Sequence, residues 1–217
     1  MPLPLRTGQP APAILWFAST PGRALLQSEQ SAVERALAER PAQPWLWLAP
    51  LPPLRPAGRR GLALSPCGDG WRGEVSCSLP LPLPSEAFGT VVVQHVAALD
   101  DGGRALLEEA ARILVPGGRL VMFLLNPLSP YRWHWLGHGL RASEPLVWRR
   151  RLRAAGLQPD AVSDGIGPRW RTEGDLREQS GAGFRAAYLV RAEKRAMPLT
   201  PVRQARVLAM PQGASAA

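Results

Sequence analysis

The segment 90–125 contains two apolar runs separated by an amphipathic stretch, and this order constrains the fold more than any other feature. The β-branched run 90–93 predicts a strand, and 119–125 predicts a second buried strand. Between them the periodicity predicts a helix over 103–115, followed by a turn at Pro116-Gly117-Gly118. Such a strand–helix–strand unit crosses over right-handed in a parallel sheet.

The run Trp-Leu-Trp-Leu-Ala at 45–49 lies between two prolines and has no polar alternation, which is typical of a strand buried on both faces of a parallel sheet. We therefore predict an α/β fold with a mostly parallel sheet. The remaining expected elements are short strands near 61–65 and 74–77, a basic helix over about 144–155, and strands near 158–163 and over 184–195.

A helix is also expected before the first strand, over about 22–39. Thr20 is the predicted N-cap, and Pro21 sits in the first turn, where its missing N–H costs nothing. The spacing of the apolar residues leaves Glu29, Glu34 and Arg35 on the solvent-facing side. We divide the chain into a flexible leader (1–19), one α/β domain (20–197) and a flexible C-terminal tail (198–217).

The composition is basic, with 26 Lys and Arg against 17 Asp and Glu and a net charge of +9. This excess suggests an anionic partner, but Lys194 is the only lysine, which equally indicates a GC-rich coding bias. Nucleic acid is a candidate partner through Arg149–Arg153, although this run covers more than one helix face. Two cysteines without a nearby His exclude a disulfide framework and a zinc site. With no transmembrane segment or secretory signal, we expect a cytoplasmic protein without a metal.

Two stretches of the central region resemble the type 11 methyltransferase domain of the class I S-adenosylmethionine-dependent methyltransferases. They are LPLPSEAFGTVVVQHV at 81–96 and RALLEEAARILVPGGRLV at 104–121. The family has LPF, a turn, Phe-Asp, a hydrophobic strand and a His, then the pattern LL-E-R-L-PGG-L. The segments 126–129, 194–195 and 198–201 are similar to its bacterial YafS-like subgroup.

The resemblance implies a Rossmann-like, mostly parallel seven-stranded sheet with helices on both faces, and a ligand at the carboxyl ends of the first strands. A Gly-rich loop, an acid for the ribose and an Asp for the adenine normally hold S-adenosylmethionine there. Here Pro50-Leu51-Pro52-Pro53 replaces the Gly-rich loop, and three prolines supply no amide donors. Asp69 is a displaced substitute for the ribose acid, and Cys77 occupies the adenine position. The cofactor motifs are degenerate.

The residues that the resemblance assigns to ligands follow the predicted strands. Strand 90–93 ends in Gln94-His95, and the aromatic cluster beyond Asn126 suits a flat substrate, although Asn-Pro is also an ordinary turn and His95 an ordinary strand end. The predicted cofactor-binding residues are Ala49, Pro50, Leu51, Cys77, Ser78, Gln94, His95 and Val96. The predicted substrate-binding residues are Asn126, Tyr131, Trp133 and His134.

Three functions are compatible with these patterns. The first is an S-adenosylmethionine-dependent methyltransferase with a divergent cofactor site, acting on an N, O or S acceptor mainly by positioning. The second is a catalytically inactive descendant of that fold, retained as a binding or scaffold module. This second function is favoured by the joint loss of acids and glycines while the packing motifs persist. The third is an Arg-rich nucleic-acid-binding domain.

Overall fold

The computed structural model describes residues 12–53, 60–99, 103–170, 180–181 and 184–195. Within them, four α-helices accompany nine strands of a single sheet. The helices are α1 Pro12–Ala18, α2 Thr20–Ala38, α3 Arg104–Ile113 and α4 Pro145–Ala154. The strands are β1 Trp45–Leu48, β2 Gly61–Cys67, β3 Gly70–Gly73, β4 Ser76–Cys77, β5 Phe88–Gln94, β6 Leu114–Leu125, β7 Leu157–Pro159, β8 Asp164–Ile166 and β9 Ala187–Lys194.

The centre of the sheet is parallel and is organised around β1. Leu46 lies opposite Leu62 of β2 on one side and Val91 of β5 on the other, both in parallel register. Strand β6 then pairs in parallel with β5, and α3 provides the crossover between them. The predicted parallel centre of the sheet is therefore confirmed, with the runs 45–49 and 90–93 as neighbours in it.

Antiparallel strands flank this parallel centre on both sides. A hairpin of β3 and β4 follows β2, whereas β9 pairs with β6 and in turn carries both β7 and β8. The α/β class with a parallel core is as expected. The sheet has nine strands in the described residues instead of seven, because short hairpin strands extend it at each edge.

Alternate residues of the central strands face opposite layers of helix. On one side Leu46, Val91 and Leu120 pack with α3 and α4. On the other side Trp47 and Val92 belong to the layer that contains α1 and α2. The apolar residues at every position of β1 and at Val91, Val92 and Val93 of β5 thus reflect a sheet that is covered on both faces.

Helix α1 was not predicted, since it falls in the segment assigned to a flexible leader. Its Trp16 and Phe17 are buried in the same layer as α2. Ser19, not Thr20, caps α2, because α1 ends at Ala18 and leaves Ser19 extended (φ −72°, ψ 165°) with its hydroxyl accepting from Gly22 N. The predicted tail from 198 onwards and residues 1–11 lie outside the described residues.

Several helices and strands begin or end at residues other than those predicted. Strand β6 begins at Leu114, so the Pro116-Gly117-Gly118 segment lies inside the strand, where the register with β5 shifts. The expected strand over 184–195 begins only at Ala187. The expected strand near 158–163 is the shorter β7, and β3 and β8 were missed because each has only three or four residues. None of the described helices is both long enough and apolar enough to traverse a bilayer.

Gly22 makes the sharp turn between α1 and α2 possible. A Cβ at this position would lie 2.3 Å from the carbonyl oxygen of Trp16 and 2.6 Å from Phe17 Cα. We expect Gly22→Ala to lower the free energy of unfolding by about 1–3 kcal/mol, because the backbone of α1 must shift.

Urea unfolding followed by circular dichroism measures this change. The control is Gln27→Ala at an exposed position of the same helix, which we expect to stay within about 0.5 kcal/mol of the wild type. Equal stabilities of Gly22→Ala and the control would show that the close approach of α1 to α2 is not a constraint.

Candidate functional site

The connections of β1 define a switch point in the sheet. Strand β2, which follows β1 in the chain, pairs with one side of β1, and β5 pairs with the other side. Open α/β sheets bind ligands in the crevice at such a point, beyond the carboxyl ends of the strands. In this protein the crevice lies next to Ala49, which follows β1, and Gln94 and His95 at the end of β5.

A buried polar network occupies this point. Glu29 of α2 accepts hydrogen bonds from Gln94 Nε2 at 2.9 Å and from His95 Nε2 at 2.9 and 3.0 Å. The Trp47 indole donates to Gln94 Oε1 at 3.2 Å. All four side chains are at most 2% exposed. The network therefore ties α2 to the carboxyl ends of β1 and β5, and each of its bonds forms away from competing water.

His95 is held in an uncommon conformation by its surroundings. Its backbone lies in the left-handed region, at φ 58°, where His is among the better tolerated non-glycine residues. The ring stacks on Phe17 with centroids 5.2 Å apart. Because Nε2 donates to Glu29, Nδ1 is the nitrogen left over, and it is buried without a partner among the described residues.

The burial of Glu29 corrects our prediction that it faces solvent. The buried residues of α2 recur at helical spacing as Leu25, Glu29, Val33 and Leu37, so Glu29 occupies one position of the apolar stripe. A carboxylate at such a position indicates a polar partner across the interface. This signal was present in the sequence, but it did not name His95 or Gln94 as the partners.

A cavity of about 840 Å³ opens on the α2 side of the switch point. Its walls combine the apolar surface of Trp47, Ala49 and Leu51 with polar residues of α2. Gln94 also lines it, so the buried network forms part of its floor. The polar wall consists of Arg23, Gln27, Gln30 and Glu34.

A second cavity, of about 450 Å³, lies at the carboxyl ends of β2 and β5. Asp69, Trp71 and Ser78 line it, together with Val96 just beyond His95. Because β2 extends to Cys67, two residues beyond the predicted end, Asp69 lies in the turn that directly follows the strand. The acid that the sequence placed as a displaced substitute is therefore at the strand end.

Comparison with solved structures identifies the fold that carries this geometry. An S-adenosylmethionine-dependent methyltransferase from Thermotoga maritima superposes with a TM-score of 0.57 at 18% identity, covering 83% of this chain and 94% of its own. Another from Archaeoglobus fulgidus gives 0.50 at 11% identity, covering 79% and 94%. The fold is that of the class I methyltransferases. The sequence itself matches no protein-family model and no curated protein.

The predicted cofactor residues of this methyltransferase fold divide between the two cavities. Ala49, Leu51 and Gln94 line the larger one, whereas Ser78 and Val96 line the smaller. The other three are buried or packed elsewhere. His95 belongs to the network, Pro50 is a buried residue of the turn after β1, and Cys77 packs against the core, where burial raises the pKa of its thiol.

The predicted substrate residues line neither of these cavities. Asn126 forms a local turn, accepting from Leu128 N and donating to Arg185 O. Tyr131 is buried and donates to Pro21 O at 2.8 Å, and burial raises the pKa of its hydroxyl to about 12. Trp133 and His134 are exposed. The aromatic cluster is thus divided between the core and the surface.

The arginine run on α4 does not form one continuous surface. Arg149 donates to Ser163, Arg151 lies over the Trp148 ring, and Arg150 and Arg153 are exposed. Leu152, between them, is buried. In the part of the chain that the structure describes, no group of three or more His, Cys, Asp or Glu side chains could hold a metal ion.

The network at the switch point gives a direct prediction for stability. Glu29→Ala leaves the buried amide of Gln94 and the imidazole of His95 without their acceptor. At about 1–3 kcal/mol for each unsatisfied buried group, we expect a loss of about 2–5 kcal/mol in the free energy of unfolding.

Urea unfolding tests this value, with Glu34→Ala as the matched control. Glu34 is an exposed glutamate of the same helix that accepts a hydrogen bond from Gln30 one turn away, so we expect a change within about 0.5 kcal/mol. Similar losses for the two variants would contradict a structural role for the network.

Proposed function

We propose that the protein binds an adenosine-containing ligand of the S-adenosylmethionine class in the 450 Å³ cavity at the carboxyl ends of β2 and β5. The observation that carries the proposal is the position of Asp69, Trp71 and Ser78 around this cavity, at the switch point of a methyltransferase fold. The volume falls within the range of small-molecule sites.

Each of the three residues suits one part of a nucleoside. The Asp69 carboxylate lies in an exposed turn and can accept hydrogen bonds from the two ribose hydroxyls. The Trp71 indole provides a flat surface for the adenine ring. The Ser78 hydroxyl can donate to or accept from an adenine nitrogen. The adenosine half of the cofactor therefore fits the residues present.

The methionine half of the cofactor fits the residues of this protein poorly. The turn after β1 has proline at positions 50, 52 and 53, so it offers few backbone N–H donors for a carboxylate. The space between the ends of β1 and β5 is filled by Glu29, His95 and Gln94, which satisfy one another. These features favour a methyltransferase-fold binding protein over an efficient methyltransferase.

Methyl transfer is the second candidate, and the 840 Å³ cavity favours it. Gln94 lines that cavity and Val96 lines the adenosine cavity, so the two neighbours of His95 in the chain each border a cavity. Methyl transfer between an acceptor in the larger cavity and a donor in the smaller one requires the Glu29, Gln94 and His95 side chains to move aside. His95 Nδ1, which is buried without a partner among the described residues, would then accept the proton of an O–H or N–H acceptor.

Isothermal titration calorimetry with S-adenosylmethionine, S-adenosylhomocysteine and adenosine tests the proposal. If only the adenosine half is recognised, the three dissociation constants will agree within about tenfold. We expect Asp69→Ala to weaken all three roughly tenfold to a hundredfold, since it removes charge-assisted hydrogen bonds of about 1.5–3 kcal/mol. The control is Asp164→Ala, an exposed acid of β8 near Arg191.

The outcomes separate the candidates. S-adenosylmethionine that binds more than about a hundredfold tighter than adenosine would show a working methionine site and favour the methyltransferase. An Asp69→Ala variant that binds like the Asp164→Ala control would place the ligand elsewhere. No binding of any of the three at millimolar concentration would overturn the proposal.

A further inference from the structure

Five large apolar side chains are exposed beyond the end of β6. Leu128, Trp133, Leu136, Trp170 and Phe184 are between 49% and 74% exposed. We call them the aromatic patch. They include part of the aromatic cluster that the sequence suggested for substrate stacking, yet none lines either of the two cavities described above. Exposed apolar groups gathered in one place mark an interaction surface more often than scattered ones do.

Contacts between their neighbours bring the three segments of the patch together. Ser129, next to Leu128, donates to the carbonyl of Phe184 at 3.2 Å. His134, next to Trp133, has its Nε2 3.5 Å from the carbonyl of Trp170. The patch is therefore built from the residues after β6, after β8 and before β9.

The topology places these segments at the carboxyl edge of the sheet. Strand β6 ends at Leu125, and its antiparallel partner β9 begins opposite, at Ala187. Strand β8 ends at Ile166, which also pairs with Ala187. The residues that follow β6 and β8 and precede β9 thus emerge at one edge, the same edge at which the two cavities lie.

Arginines accompany the aromatic residues at this edge. Arg132 precedes Trp133, Arg169 precedes Trp170, and Arg185 follows Phe184. Partial burial is the main cause that lowers the pKa of Arg185, and the nearby positive charge of Arg169 lowers it further. The described segments 126–141, 165–170 and 184–185 contain arginines and no Asp or Glu, so these segments are positively charged, in a chain of net charge +9.

We propose that the aromatic patch docks the protein on an anionic lipid bilayer. Tryptophan and phenylalanine side chains insert at the level of the headgroups, and leucines enter the acyl boundary. The exposed Arg132 can extend its charged end towards lipid phosphates, whereas Arg185 donates to the backbone carbonyls of residues 167, 180 and 181 and adds only its charge to this edge. Docking in this orientation turns the carboxyl edge, with both cavities, towards the membrane.

The composition of the patch favours a bilayer over single-stranded nucleic acid. Protein surfaces that bind single-stranded nucleic acid present flat side chains on which bases stack, together with a positively charged groove. Leu128 and Leu136 provide no flat face, and they are 64% and 49% exposed. Apolar insertion combined with attraction to anionic headgroups uses all five residues.

Co-sedimentation of the full chain with vesicles tests the proposal. We expect binding to vesicles of phosphatidylglycerol and phosphatidylcholine, weak binding to phosphatidylcholine alone, and a decrease when salt rises from about 0.1 M to about 0.5 M. Trp133→Ser with Leu136→Ser should weaken binding to the anionic vesicles roughly tenfold or more. The matched control is Leu146→Ser with Val162→Ser, two exposed apolar residues outside the patch.

Circular dichroism of both double variants checks that they fold, which we expect since every altered side chain is exposed. In addition, brominated phosphatidylglycerol should quench tryptophan fluorescence of the wild type more than that of the Trp133 variant. Absent vesicle binding, or equal loss in the patch and control variants, would overturn the proposal. So would patch-dependent binding of a single-stranded RNA oligonucleotide without lipid binding, or patch-dependent dimerisation in sedimentation velocity.

Discussion

Strand β1 is hydrogen-bonded on both sides, in parallel, to β2 and β5, and the rest of the molecule is arranged around this pairing. Its four residues are buried, with the two tryptophans on the α2 side and the two leucines on the other. Since β2 and β5 pair with opposite sides of β1, its carboxyl end is a switch point of the sheet. One cavity is lined there by Ala49 and Gln94, and the other by Val96.

At this point of the sheet, side chains of the protein itself occupy the place where an open crevice would hold the polar groups of a ligand. Glu29 accepts hydrogen bonds from Gln94 and His95, and Phe17 of α1 covers the imidazole. This network stabilises the corner between α2 and β5, but its bonded N–H groups are no longer available as donors to a ligand. The 450 Å³ cavity is different, because Asp69 and Ser78, which line it, are exposed. The two cavities therefore differ in the polar groups that they present to a ligand.

The segment after β6 shows how one short helix can serve two surfaces. Pro130–His134 is a 3₁₀ helix with three residues per turn, so Tyr131 and His134 lie on the same side, with ring centroids 4.7 Å apart. Trp133, two residues after Tyr131, is turned outward. Trp16 of α1 donates to the carbonyl of His134, which fixes the segment against the N-terminal helix. The inward residues anchor the edge, and the outward ones present the aromatic patch.

The periodicity of the sequence alone determined the parallel centre, because apolar runs without polar alternation fit only a sheet buried on both faces. It also identified helices α2, α3 and α4 and the residues at the ends of β1 and β5. It did not determine which polar residues would be buried. Glu29 was assigned to solvent, and the end of β2 was placed short of Asp69. The local spacing of apolar residues indicates which positions of a helix or strand are buried. The partner of a buried carboxylate depends instead on how segments that are distant in the sequence pack together. Only the tertiary structure brought α2 over the end of β5, closed the β2–β3 hairpin beside Asp69, and separated Trp133 from Tyr131.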